Sequence, residues 1–166
     1  MGLPIICLDE CHIDLLSRMK RIWNLKGTKP IGFIKYSLKR MNIIGAFSNN
    51  NLIVNYVEKV NSEKIIEFLE GIKIHYKKFV LVMDNAGWHR SKDVLVYLDM
   101  SKESIFVEYL PPYSPELNPI ETCWRIIRKN VLDSNLFEDL FILRDGINKF
   151  INNYEWNINM FKYLCR

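Results

Sequence analysis

Apolar residues along this chain recur at two periods, and the switches between them mark out its elements. Pro4 to Leu8 is a hydrophobic run that stops at Asp9-Glu10, the pattern of a buried strand ending in acids. Residues 11–30 are basic and carry no clear period, with Trp23 and Gly27-Thr28-Lys29-Pro30 suggesting a short strand and a turn. Asn42 to Phe47 and Leu52 to Val57 are β-favouring runs. They are split by Ser48-Asn49-Asn50-Asn51, a hairpin signal because asparagine tolerates turn conformations. Together these runs predict three antiparallel strands.

After Ser62 the period becomes helical. Ser62 reads as an N-cap, and Ile65, Ile66, Leu69 and Ile72 follow on one face, predicting an amphipathic helix over 62–75. Phe79 to Met83 is apolar on both faces and predicts an interior strand. Residues 91–100, with Val94, Leu95 and Leu98, predict a short helix, and Ile105 to Tyr109 another strand. Pro111, Pro112 and Pro115 deny residues 110–117 regular structure, because they remove donors and fix φ. Asn118-Pro119 opens a helix, Asn as cap and Pro at the first position. Ile120, Cys123, Trp124, Ile127 and Val131 share one face of it. A last helix near 136–152 is expected to turn Phe137, Leu140, Phe141, Ile147, Phe150 and Ile151 inward. This order predicts an α/β fold, a mixed sheet with helices on its faces.

The 166 residues suit one domain, and 49% hydrophobic with 25% charged residues is ordinary for a globular chain. No apolar run approaches the roughly 20 residues of a membrane helix. The apolar start lacks a basic leader or cleavage site, so a cytoplasmic address is expected. Cys7, Cys11, Cys123 and Cys165 show neither a C-x-x-C pair nor zinc-like histidine spacing, and read as reduced packing thiols. The net charge of +4 is uneven: residues 1–40 hold eight Lys/Arg against three Asp/Glu. A basic first quarter suits a polyanionic partner held by its phosphates, though charge alone reads equally as a solvated basic face.

The candidate chemistry lies in three acids. Asp84 follows the interior strand 79–83, at a strand tip where sites collect in helix-covered sheets. Glu121 lies in the first turn of the helix after the stiff proline loop. Asp9, leading the antiparallel strands, would sit centrally and beside Asp84. Three converging carboxylates raise one another's pKa unless cations neutralise them. Hard oxygen ligands select Mg²⁺ or Mn²⁺. Two such ions about 4 Å apart can activate a water or a 3′-hydroxyl and stabilise a phosphodiester's leaving oxygen. Taken singly, each acid has a plainer reading: Asp84-Asn85-Ala86-Gly87 as a turn, Glu121 as the closure of a capping box, Asp9-Glu10 as solvated acids.

The segments MDNAGWHRS (residues 83–91) and YLPPYSPELNPIETCWRIIR (residues 109–128) make the set more specific. They resemble the catalytic core of the mariner-like DDE transposases, in the branch carried by prokaryotic insertion sequences. The 36 residues between Asp84 and Glu121, together with Leu8-Asp9-Glu10, Trp23 and Lys26-Gly27 upstream, also match, so the resemblance covers about residues 4–132. It implies a ribonuclease-H-like sheet of three antiparallel and two parallel strands. It implies further that Asp9, Asp84 and Glu121 are catalytic and hold two divalent cations, Mg²⁺ or Mn²⁺. Alternation along the strand puts Asp9 and Glu10 on opposite faces, and Asp9 is taken as the ligand. Asn85 and His89 belong to the same motif; they would orient substrate phosphate or water, with a turn role for Asn85 equally open. Trp124 is expected to pack beneath the site. Arg125, Arg128 and Lys129 on one side, and Lys20, Arg21 and Lys26 with Lys35, Lys39 and Arg40 on the other, are candidate phosphate contacts.

The implied activity is DNA strand cleavage at an element's ends, followed by 3′-hydroxyl transfer into target DNA at TA sites. A homodimer, or pairing with a full-length transposase, would act. Family members carry an N-terminal helix-turn-helix region that reads the element's ends. This chain starts almost on the first catalytic strand, so a single catalytic domain over 1–166 with largely sequence-independent DNA binding is expected. Two alternatives stand beside this: a ribonuclease-H-like nuclease without strand transfer, and a silent remnant that binds DNA or a full-length partner.

Overall fold

The computed structural model describes residues 2–15, 26–27, 39–133 and 137–164. Strands β1 (Ile5–Asp14), β2 (Arg40–Ser48) and β3 (Asn51–Val57) form an antiparallel meander. Strands β4 (Phe79–Met83) and β5 (Ile105–Tyr109) extend it on the other side, β4 parallel to β1 and β5 parallel to β4. The sheet order is β3-β2-β1-β4-β5, which makes β1 the central strand. The hairpin forms where the asparagines predict it: Asn49 and Asn50 take φ of 47° and 62°, the left-handed pair that matches strand twist.

The first strand corrects the expectation that it ends in Asp9-Glu10 and that the chain then becomes irregular. It runs on to Asp14, paired with β2 from Cys7↔Phe47 to Asp14↔Arg40. Beyond the acids the pattern Cys11-His12-Ile13-Asp14 alternates, burying Cys11 and Ile13 and exposing His12 and Asp14. Such alternation marks a strand with one covered face. The parallel ladder with β4 stops at Cys7↔Val82, so Asp9 and Glu10 lie mid-strand yet at the edge where β4 leaves the sheet.

Two helical layers cover the sheet. Helices α1 (Ser62–His75) and α2 (Lys92–Met100) pack against Ile6, Leu8, Leu81 and Met83. On the opposite face, α3 (Pro119–Ile127), its π-helical continuation Arg128–Leu132, and α4 (Leu140–Asn153) pack against Cys7, Cys11 and Ile13. The chain after α4 adds Trp156 and Ile158 to this second core and ends in a short helix α5 (Phe161–Leu164). Among the described residues no helix is long and apolar enough to cross a membrane, and Cys7, Cys11 and Cys123 are buried free thiols.

Three local expectations change. Asn61, not Ser62, caps α1, its side chain accepting from the Lys64 N–H at 2.9 Å. α4 starts at Leu140 because Asp139 caps it, accepting from the Ile142 N–H at 2.8 Å. That start rotates the face: Leu143 is buried with Ile147 and Ile151, whereas Phe141 is 72% exposed. In α2, Val94 and Leu98 face the core and Leu95 faces out.

Candidate active site

Asp9 lies on the α3 face of β1, where its antiparallel partner in β2 is Gly45. A Cβ at Gly45 would come within 2.5 Å of Cη2 and 2.6 Å of Cζ2 of Trp124. Glycine therefore lets the buried indole approach the strand closely, and from there its Nε1–H donates to Asp9 Oδ2 at 3.0 Å. Trp124 packs beneath the site as expected, and also holds one of the site's oxygens.

Asp84 follows β4, where the chain turns out of the sheet. Its Oδ1 accepts from the Ala86 N–H at 2.9 Å and meets His89 Nδ1 at 2.8 Å. Glu121 arrives from the far side, its N–H donating to Asn118 O at 3.1 Å in the opening turn of α3. Asn118 occupies the cap position, but its side chain does not cap the helix. It donates instead to Leu8 O at 3.3 Å, which fastens α3 to β1 immediately before Asp9. The capping-box reading of Glu121 is not what the structure shows. Asp9, Asp84, Asn118 and Glu121 line one cavity of about 390 Å³, closed on another side by the loop from Leu110 to Pro115.

The electrostatics treat the two aspartates oppositely. Burial pushes Asp9 up from 3.8 to about 7, reinforced by the charges of Glu121 and Glu10 and opposed by the Glu10 backbone N–H and the Trp124 indole. Asp84 is held below its ordinary value, first by the hydrogen bond from His89 and then by the Ala86 N–H, against some burial. His89 is 0% exposed, between Asp84 and Glu10, whose Oε1 meets Nε2 at 2.9 Å. Burial is the largest single influence and lowers its pKa, but the two carboxylates together raise it to about 9.

His89 has no exposed surface, and both its ring nitrogens are engaged, one by Asp84 and one by Glu10, a placement behind Asp84. Asn85 is also committed: its Nδ2 donates to Leu110 O at 2.6 Å and its Oδ1 accepts from Arg90 Nη2 at 2.6 Å. Arg90 in turn stacks over Tyr109 at 3.5 Å. Asn85 thus joins the turn after β4 to the start of the proline loop, the turn role left open for it, while lining the cavity.

A second cavity of about 830 Å³ adjoins the first, sharing Asn118 and Glu121 and lined by Arg125, Arg128 and Lys129. Arg125 and Lys129 are exposed on α3 and its continuation, Arg125 donating to Thr122 Oγ1 at 2.8 Å. Arg128 is half-buried and donates to Cys11 Sγ at 2.9 Å, so it braces β1 as well as facing this cavity. Of the other basic residues, Lys26 is exposed, and Lys20, Arg21 and Lys35 lie outside the described residues. The sequence pattern gave Gly45 and Trp88 no role, and it presented Glu10 only as the alternative to Asp9 as ligand. An isolated glycine inside the β-favouring run 42–47 was the available signal for a close approach.

Asp9, Asp84 and Glu121 line the cavity together with Asn118, whose buried Oδ1 has no hydrogen-bond partner. An orphaned buried oxygen beside mutually repelling carboxylates fits a hard divalent cation. Among the described residues no three acid, imidazole or thiol side chains stand close enough to hold a metal as they are. The carboxylates ring a space instead of sharing one point.

The family model described as DDE superfamily endonuclease matches residues 4–144. An uncharacterized protein, y4pE/y4sA of Sinorhizobium fredii, is 42% identical over 60 residues, 36% of this chain and 41% of that protein. The insertion element IS630 uncharacterized 39 kDa protein of Shigella sonnei is 22% identical over 153 residues, 89% of this chain and 44% of that protein. The chain therefore spans less than half the length of these curated relatives. Among solved structures, the Mos1 transposase paired-end complex with left transposon end superposes with a TM-score of 0.76 at 15% identity, covering 97% of this chain and 50% of that one. The catalytic domain of Mos1 mariner transposase gives 0.67 at 14% identity, covering 97% and 74%. Other Mos1 paired-end complexes of the same fold were solved with Mn and with Mg. The chain belongs to the DDE superfamily endonucleases and has the ribonuclease-H-like catalytic fold of the mariner-like transposases.

Proposed function

We propose that this chain is the catalytic domain of a DNA transposase, cutting phosphodiesters at an element's ends and joining the freed 3′-hydroxyl to target DNA. The observation that carries this reading is the delivery of Asp9, Asp84 and Glu121 to one cavity from three separate segments. Two Mg²⁺ or Mn²⁺ ions held by these carboxylates would neutralise their repulsion and supply Lewis-acid chemistry at the phosphate. The protein's own part is preorganisation. Trp124 fixes one oxygen of Asp9, His89 and the Ala86 N–H fix one oxygen of Asp84, and Pro119 starts the turn that carries Glu121. Asp84, its carboxyl held below the usual range, would serve as an anionic ligand, whereas Asp9, pushed up to about 7, would have to give up its proton to serve as one.

Arg125 and Lys129, beside the second cavity, are assigned to backbone phosphates of the DNA, with Arg128 and the exposed Lys26 as further contacts. Phosphate contacts position a duplex without reading its sequence. Synapsis of two element ends by a homodimer, or by pairing with a full-length transposase, insertion at TA sites, and action on nucleoid DNA in the cytoplasm complete the proposal.

The test is to incubate the purified chain with end-labelled DNA and Mn²⁺, alongside an Asp84→Ala variant. Nicking that requires Mn²⁺ and vanishes in the variant is expected. Joining of a supplied 3′-hydroxyl end to a second duplex separates strand transfer from hydrolysis alone. DNA binding without cutting, with either metal and with the N-terminal region of a full-length relative added in trans, would instead identify a silent remnant.

A further inference from the structure

Glu10 follows Asp9 in sequence but stands on the other face of β1, with its side chain only 9% exposed. A carboxylate this buried is costly unless its oxygens are satisfied. Both are: Oε1 meets His89 Nε2 at 2.9 Å, and Oε2 accepts from Trp88 Nε1 at 2.8 Å. The far nitrogen of the same imidazole meets Asp84 Oδ1 at 2.8 Å. An unbroken path thus runs from Trp88 through Glu10 and His89 to Asp84, and Asp84 Oδ2 has no protein partner among the described residues.

We propose that Glu10 is a positioning residue for Asp84. By gripping the outer nitrogen of His89 it fixes the ring, and the ring fixes which oxygen of Asp84 is left for a cation. The inference rests on the metal-binding role assigned to Asp84 above. Stability alone does not call for this arrangement, because a buried ion network stabilises a fold no better than apolar side chains of the same volume. It is placed where orientation matters, behind a carboxylate at a chain exit. The tandem acids therefore divide the work: Asp9 faces the cavity, and Glu10 acts from behind through His89.

The test uses Glu10→Gln and Glu10→Asp in the full chain, read by Mn²⁺ calorimetry without DNA, by Tm without metal, and by DNA nicking. Outer partners of metal-binding side chains typically cost about 10–100-fold in metal affinity when altered. Both variants are expected to weaken Mn²⁺ binding by that factor, because Asp keeps the charge but loses the reach to His89. Wild-type affinity in Glu10→Asp would show that only the charge matters and would overturn the proposal, as would wild-type affinity in both. If neither variant folds, Trp88→Phe removes one of the two hydrogen bonds at a partly exposed position. It should weaken Mn²⁺ binding several-fold, and an unchanged affinity there would equally overturn the proposal. Wild-type protein that binds Mn²⁺ but cuts no DNA, even with the N-terminal region of a full-length relative added in trans, would remove the transposase reading and leave this one standing.

Discussion

Trp124 reaches Asp9 through the space left by Gly45: the indole N–H donates to Asp9 Oδ2 at 3.0 Å, and a Cβ at Gly45 would overlap the six-membered ring. Packing and acidity are thus coupled at one point. Trp124→Phe keeps most of the buried area but deletes a charge-assisted bond, and should cost about 1.5–3 kcal/mol at pH 8. The cost should shrink at pH 5, where Asp9 is protonated. Gly45→Ala forces the ring to move and should cost about 1–3 kcal/mol through overpacking. Urea denaturation at both pH values measures both effects.

Stability of the metal-free protein should fall from mildly acidic to alkaline pH. Asp9 rises from 3.8 to about 7 on folding, so the folded state holds a proton more tightly than the unfolded chain, and stability declines between those values. His89 rises from 6.5 to about 9, so its contribution is complete below 6.5 and lost as pH climbs through 9. Asp84 acts oppositely, adding stability above its ordinary 3.8 that is lost as pH falls through its depressed value. Together the first two effects are on the order of several kcal/mol. Thermal melts from pH 4 to 9 should show the decline. Asp9→Asn should flatten its lower half and His89→Gln its upper half.

Divalent cations should stabilise the fold in proportion to site occupancy. At about 100 times the dissociation constant, Mn²⁺ should add about 2.7 kcal/mol. Asp9→Asn, Asp84→Asn and Glu121→Gln should each abolish most of that gain. Because Asp9 must lose its proton to bind, the gain should be smaller at pH 6 than at pH 8. A Tm raised equally in wild type and in all three variants would place the metal elsewhere.

Affinity for DNA should fall steeply with salt, and Arg125→Ala or Lys129→Ala should each lower the slope by about one without changing the melting temperature. Arg128→Ala should do both, because its guanidinium also donates to Cys11 Sγ. Titrations of labelled duplex at several salt concentrations, beside thermal melts, separate the two behaviours.

Much of the fold was legible in local pattern. The asparagine hairpin, the apolar run 79–83 and the helical spacing after Pro119 each reflect a rule confined to a few neighbouring residues. The errors had two sources, a local cap and a pairing between distant segments. Asp139 set the start of α4 and so exposed Phe141. The alternation Cys11 to Asp14 became a strand only because β2 was there to pair with it.

The sequence by itself determined the order of elements and the α/β class, because hydrophobic period, proline and strand ends are written locally, while the three acids stood out through the resemblance of the motifs around them. It also placed Asp9 and Glu10 on opposite faces, since alternation along a strand is geometry. Only the tertiary structure decided what each acid does. Burial and the approach of Glu121 set the acidity of Asp9, and a histidine shared with Glu10 set that of Asp84. Two of these interactions, Glu121 with Asp9 and Glu10 with His89, join residues scores of positions apart, and a one-dimensional pattern does not carry the distances on which their strength depends.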